Sequence, residues 1–194
     1  MKLTSIVAFA ASALLVSGQT QKSEMATKPA PTPPILKLAV VQTARGNPAD
    51  GWRVLKGLTA LNRYAISPEP VELAATEVEV QILRFSSDYV RGDGSVKADV
   101  AMIDSESILK AIKNAGFRPA TIVELLAVKS KLKDVDVSAY GNTAELGGKT
   151  YRFQIEFIHK AGQDITQFSG GRVGLFPADW KWDQGSVTVA AVKE

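Results

Sequence analysis

Gly116-Phe117-Arg118-Pro119-Ala120-Thr121-Ile122-Val123-Glu124-Leu125-Leu126 is the stretch on which the reading of this chain turns. Glycine reaches the left-handed conformation that closes a helix, and proline forbids its continuation. Thr121, three residues before Glu124, makes a capping box that opens a new helix. Upstream, Asp104-Ser105-Glu106-Ser107 supplies a cap and an acidic first turn. Ile108, Leu109 and Ile112 then recur at helical spacing up to Asn114-Ala115-Gly116. Two helices joined at Gly116 to Thr121 follow. In the second, Ile122, Leu125 and Leu126 point inward and Lys129, Lys131 and Lys133 outward, a solvated helix end rather than an anion site. Phe117 and Arg118 have no backbone role in this reading.

On the C-terminal side, Tyr151, Phe153, Ile155 and Phe157 alternate with Arg152, Gln154 and Glu156, which is the period of a half-buried strand. Val187 to Val192 reads as a final buried strand. Ser169-Gly170-Gly171-Arg172-Val173-Gly174 is rich in glycine but lacks the lysine and helix of a phosphate loop, so it reads as a turn. Phe176 to Asp183 is aromatic and acidic. If it is extended, Trp180 and Trp182 share one face and Asp179, Lys181 and Asp183 the other.

On the N-terminal side, Ile35 to Thr43 reads as a buried strand. The spacing of Trp52, Leu55, Leu58, Leu61 and Ala65 predicts a helix over 51–65. Ser67-Pro68-Glu69-Pro70 stops it. Glu77 to Phe85 alternates as a half-solvated strand, with Glu77 and Glu79 as its wet side. Arg91-Gly92-Asp93-Gly94-Ser95 is a turn after which Val96 to Met102 would return as a hairpin; turn chemistry explains Arg-Gly-Asp without an adhesion partner. The fold class is α+β, with short helices packed on a mainly antiparallel sheet. The globular domain runs over 35–194, either as one core or as two, 35–105 and 106–194.

Met1-Lys2 and the apolar run from Leu3 to Val16, followed by Ser17-Gly18, have the layout of a secretory signal peptide over 1–18. The run is shorter than the roughly 20 apolar residues that span a bilayer, so no stable membrane insertion is expected after cleavage. Residues 19–34, with Lys28-Pro29-Ala30-Pro31-Thr32-Pro33-Pro34, read as a proline-rich spacer. The expected location is periplasmic or extracellular. The chain has no cysteine, which excludes disulfides, thiolate catalysis, thiolate zinc sites and lipid attachment through cysteine.

A hydrophobic fraction of 45% and a charged fraction of 22% are those of a folding domain, and a net charge of +3 is too small for a nucleic-acid footprint. Basic residues are in excess over 19–66 and acidic ones over 67–105, as expected of solvated surfaces that face one another.

The pattern Gly116 to Thr121 with Glu124-Leu125-Leu126-Ala127, the Trp180 to Trp182 region and the closing Val189-Ala190-Ala191-Val192-Lys193 resemble a group of uncharacterised bacterial proteins. Those proteins share a Phe/Tyr-Arg-Pro-Ala-Thr helix start and a tryptophan-bearing C-terminal strand. The resemblance covers about residues 108–193. It implies no activity, cofactor or catalytic residue.

For function, the residues favour an exported, non-enzymatic binding or interaction module with a protein or glycan partner. Its binding residues would be Trp180 and Trp182, with Asp179 and Arg172. No cofactor and no metal site is expected, since His159 is the only histidine and has no acidic partner at a readable spacing. The alternatives are a small exported hydrolase using Asp179, Asp183 or Glu156, and a structural envelope component.

Overall fold

A computed structural model describes residues 30–58, 61–67, 77–133, 136–156, 172–182 and 185–194. The expected signal peptide, most of the proline spacer, His159 and Asp183 lie outside the described residues. Thr32, in the spacer, is bridged in parallel to Val100, its N–H donating to Asp99 O at 2.7 Å and its carbonyl accepting from Ala101. No helix among the described residues is long and apolar enough to cross a membrane.

The elements run β1 (Leu36–Gly46), α1 (Pro48–Gly57), β2 (Ala65–Ser67), β3 (Val78–Ser87), β4 (Ile103–Asp104), α2 (Ser105–Asn114), β5 (Phe117–Pro119) and α3 (Ile122–Val128). After a 3-10 turn at Lys129–Lys131 come β6 (Val137–Leu146), β7 (Lys149–Glu156), β8 (Arg172–Pro177), β9 (Lys181–Trp182) and β10 (Ser186–Lys193). This is an α+β fold. The main sheet has the order β1-β3-β10-β6-β7-β8, with β2 added to β6 and β5 to β10, while β4 and β9 form a separate pair. Every pairing in the main sheet is antiparallel except β10 with β6.

Strand periodicity sends alternate side chains to the two faces, so each face has its own core. Val80 and Ile82 of β3, Phe153 and Ile155 of β7 and Ala190 of β10 pack under α1 and α3. Leu83 and Phe85, Tyr140, Phe176, Val187 and Val189 pack on the other face against Ile108 and Ile112 of α2. Because β3 lies between β1 and β10, residues 35–105 and 106–194 share one sheet.

The Gly116 to Thr121 stretch is more than a joint. Gly116 takes φ +78°, and Phe117–Pro119 then pairs antiparallel with β10 through Pro119↔Ala191 and Phe117↔Lys193. Thr121 caps α3, accepting from Glu124 N, while the Glu124 carboxylate accepts from Thr121 N at 2.9 Å. Arg118 grips the same carboxylate with both terminal nitrogens, at 3.0 and 2.6 Å. Phe117 packs against the α2 core. Both residues without a backbone role thus have a tertiary one.

Three expectations are corrected. The strand expected to be buried over 35–43 is an edge strand: among the described residues β1 pairs only with β3, and it exposes Leu38, Val40 and Val41. An apolar run marks a strand but not its place in the sheet. The helix expected over 51–65 begins at Pro48, capped by Asn47, and ends at Gly57, because Ala65 and Ile66 pair with β6 instead. The hairpin expected between 77–85 and 96–102 is reduced to the bridge Val90↔Val96 around the Arg91 to Ser95 turn. Both flanks of β3 are occupied, by β1 and β10, so no return strand can dock there.

Strands β1 and β3 lie side by side, and Arg45 pairs with Glu79 at 2.8 Å across them. Beyond Val41 the outer edge of β1 is held by the segment after α3: the Gln42 amide donates to Lys131 O and accepts from Lys133 N, and Lys131 Nζ donates to Arg45 O. The uncovered half carries Val40 at 50% exposure. Long apolar edges template intermolecular pairing. Val40→Lys is therefore expected to leave the melting temperature unchanged while lowering light scattering of concentrated, warmed samples.

Candidate functional site

The two tryptophans part company. Trp180 N donates to Pro177 O at 3.0 Å, closing a turn at Ala178-Asp179 that leaves Asp179 exposed and Trp180 47% exposed. After the turn, Lys181 and Trp182 are extended, pairing with Asp104 and Ile103. Trp180 closes the turn and stays exposed, whereas Trp182 is partly buried against the α2 core. Trp182 turns inward: its ring meets Phe176 edge-on at 5.3 Å and its Nε1–H donates to the Tyr140 hydroxyl at 3.2 Å. Arg172 opens β8 and Asp179 follows its end, so some 17 Å of strand separates their backbones, at about 3.3 Å per residue.

Around Trp182 the sheet provides a site. The parallel ladder of β10 and β6 is short, Val189↔Ser138 and Ala190↔Ala139. Before it, a cleft of about 240 Å³ lies between Asp136 and Ser138 of the β6 side and Ser186, Val187 and Thr188 of β10. Arg84, Gln154 and Trp182 complete its lining. Strand alternation places Ser138 and Tyr140 on one face of β6, while Val137 and Ala139 enter the opposite core. Gln154 is the direct neighbour of Ser138 across β7.

Ser138 is 1% exposed, and its Oγ has no hydrogen-bond partner among the described residues. A buried hydroxyl left unpaired costs about 1–3 kcal/mol. Such a group at a polar cleft is a stored demand for a ligand atom.

Behind the cleft the aromatic wall is locked. The Arg152 guanidinium lies 4.9 Å from the Tyr140 ring centre and donates to Tyr140 O at 3.0 Å. Burial pushes the Tyr140 phenol up, only partly offset by the Trp182 N–H, so it stays neutral and able to accept from Trp182. Burial likewise depresses Arg152, whose Nε lacks a partner among the described residues.

Of the carboxylates considered for hydrolysis, Glu156 lies against the backbone of Gly174 and Asp179 lies on the exposed turn. Neither is among the described residues that line the Trp182 cleft, of which Asp136 is the one carboxylate. Among the described residues no group of three or more His, Cys, Asp or Glu could hold a metal ion.

A larger cleft of about 590 Å³ lies between α1 and the end of α3, lined by Asn47, Asp50, Glu77, Lys129 and Lys131. It mixes both signs of charge, and none of its described side chains has an orphaned buried polar atom. Lys131 is spent on Arg45 O, so the alternate lysines do not converge on a ligand.

Ser138, Gln154 and Thr188 were not singled out by sequence, because a polar residue in a strand normally marks its wet side. The one readable sign is Trp182. No protein-family model, curated protein or solved structure matches this chain.

Proposed function

We propose that this protein is an exported, non-enzymatic binding module that holds a neutral sugar residue, alone or as part of a glycan, in the Trp182 cleft. The observation that carries the reading is the unpartnered Ser138 hydroxyl at a polar cleft walled by a tryptophan. Hydroxyl and amide side chains such as Ser138, Gln154 and Thr188 can both donate and accept, which suits a ligand made of hydroxyl groups. Among the described lining residues Arg84 and Asp136 are opposite in charge, which fits a neutral ligand. At about 240 Å³ it falls below the roughly 300 Å³ at which sites for drug-sized ligands begin, which limits the occupant to about one ring. The indole supplies the apolar surface on which such a ring stacks. Export is supported by the positive start and apolar run over residues 1–18.

Ser138→Ala provides the test, because it separates stability from binding. Removing an unpaired buried hydroxyl is expected to raise stability by about 1 kcal/mol. The same change is expected to weaken binding of the best ligand from a panel of glucose, galactose and N-acetylglucosamine oligomers about tenfold, read by titration calorimetry. Trp182→Phe, which keeps most of the packing, is expected to weaken it likewise, and Trp180→Ala to leave it unchanged. A panel without a binder, or loss confined to Trp180→Ala, overturns the reading.

A further inference from the structure

The cleft of about 590 Å³ lies on the face of the sheet that carries α1 and α3, and its volume is within the range of small-molecule sites. Backbone contact fixes its walls. Gly46 has no room for a Cβ against Ala127 O, nor Gly51 against Val123 O, so the end of β1 and α1 both rest directly on α3. Asp50 and Val54 stand at helical spacing along the α1 wall. Leu126 of α3 and Lys129 of the 3-10 turn line the cleft too, as does Glu77, one residue before β3.

The cations here differ in their engagements. Lys131 donates to Arg45 O, and Arg53 pairs with Asp50 at 2.8 Å. The half-buried Lys129 ammonium makes no hydrogen bond or ion pair with a described residue, and burial alone depresses it. A partly desolvated ammonium of this kind gains from an arriving carboxylate. The same cleft presents the exposed carboxylates of Asp50 and Glu77, which attract a cation. Val54, 40% exposed, and Leu126 add apolar surface. A ligand of one sign would be drawn by some of these charges and repelled by the others. One that carries both signs can meet each with its opposite.

We propose that this cleft binds a small zwitterion with an apolar side chain, an α-amino acid or a dipeptide, its carboxylate toward Lys129, its ammonium toward Glu77 and Asp50, and its side chain on Val54 and Leu126. The volume is more than twice that of the Trp182 cleft, which leaves room for a second residue. The two clefts share no described residue, so this inference is independent of the sugar site.

The experiment is an amide NMR titration of the folded protein with leucine and leucyl-leucine, and with the N-acetylated and C-amidated form of each. The tighter of the two zwitterions is expected to shift the Val54 and Ser130 amides saturably. Its N-acetylated form, without the ammonium, and its amide, without the carboxylate, should each bind about tenfold or more weakly. Lys129→Gln and Glu77→Gln remove one charge each at positions that are not fully buried, and both should melt as the parent does. Each is expected to weaken the zwitterion about tenfold, Lys129→Gln leaving the amidated form unaffected and Glu77→Gln the acetylated one. No saturable shift at Val54 and Ser130, equal binding of a blocked form and the zwitterion, or undiminished affinity in either variant overturns the proposal.

Discussion

Gly51→Ala is expected to destabilise the protein by about 3 kcal/mol, at the upper end of ordinary overpacking. In an isolated helix the same change would help, since alanine is the better helix former by about 1 kcal/mol. Here the added Cβ would stand 1.9 Å from Val123 O and 2.9 Å from Ala127 N. Both are backbone atoms of α3 and cannot swing aside as a side chain could. Gly51 lets α1 lie directly on α3, and a methyl group there must push the helices apart. Gly57→Ala is the control, because nothing stands within 4 Å of a Cβ at that position of the same helix. It should leave stability equal or slightly raised. Calorimetry decides: at about 2–4 °C per kcal/mol for a chain of this size, Gly51→Ala should lower the melting temperature by some 6–12 °C. Equal melting of the two variants would mean that α1 does not rest on α3 in solution.

Glu124→Ala is expected to cost a similar amount, for a different reason. The carboxylate is 6% exposed and serves Thr121 N, the Thr121 hydroxyl and both terminal nitrogens of Arg118. Its loss removes the capping box, worth about 1 kcal/mol, and leaves Arg118 without its partner. Arg118 is 42% exposed on its side chain and can turn to water, so the penalty stays below the 3–5 kcal/mol typical of a stranded buried charge, near 2–3 kcal/mol in total.

The pH dependence has a definite sign. Burial pushes the Glu124 carboxyl up, but the Arg118 guanidinium and the Thr121 donors together outweigh it and hold the group below its ordinary value. A carboxyl that is more acidic folded than unfolded contributes stability at pH above its unfolded value of about 4.3. That contribution disappears as pH falls through the depressed folded value. Urea unfolding from pH 7 to pH 2 should therefore show a drop at the acid end that is shallower in Glu124→Gln. Parallel curves for the two proteins would contradict the ion pair.

The capping box illustrates what was legible in the sequence. Thr121 and Glu124, the Asp104 cap and Gly116 act through hydrogen bonds over three or four residues, and these appear where their spacing put them. The alternation of Phe153 and Ile155 was equally readable because one face of β7 meets one core. What depends on distant partners was not. Arg118 reaches Glu124 across six residues, outside any helical spacing, and no local rule announces it. The exposure of β1 depends on which strand lies beyond it, which an apolar run does not encode. The site was legible only at Trp182. Ser138 became notable through a geometric fact, a hydroxyl enclosed by β10 and β7 with no partner among the described residues, that residue type and spacing cannot express.

The position of β10 at the centre of the sheet has a kinetic consequence. Strand β3 is made early in synthesis, yet its second flank stays open until Ser186 to Lys193 have been added, roughly a hundred residues later. Until then Leu83 and Phe85 lack the neighbours Val187 and Val189 that enclose them. The nascent chain can thus form α2, the Gly116 turn and the β6–β7 hairpin, but not the sheet that unites them. The slow step should be the insertion of β10 between β3 and β6.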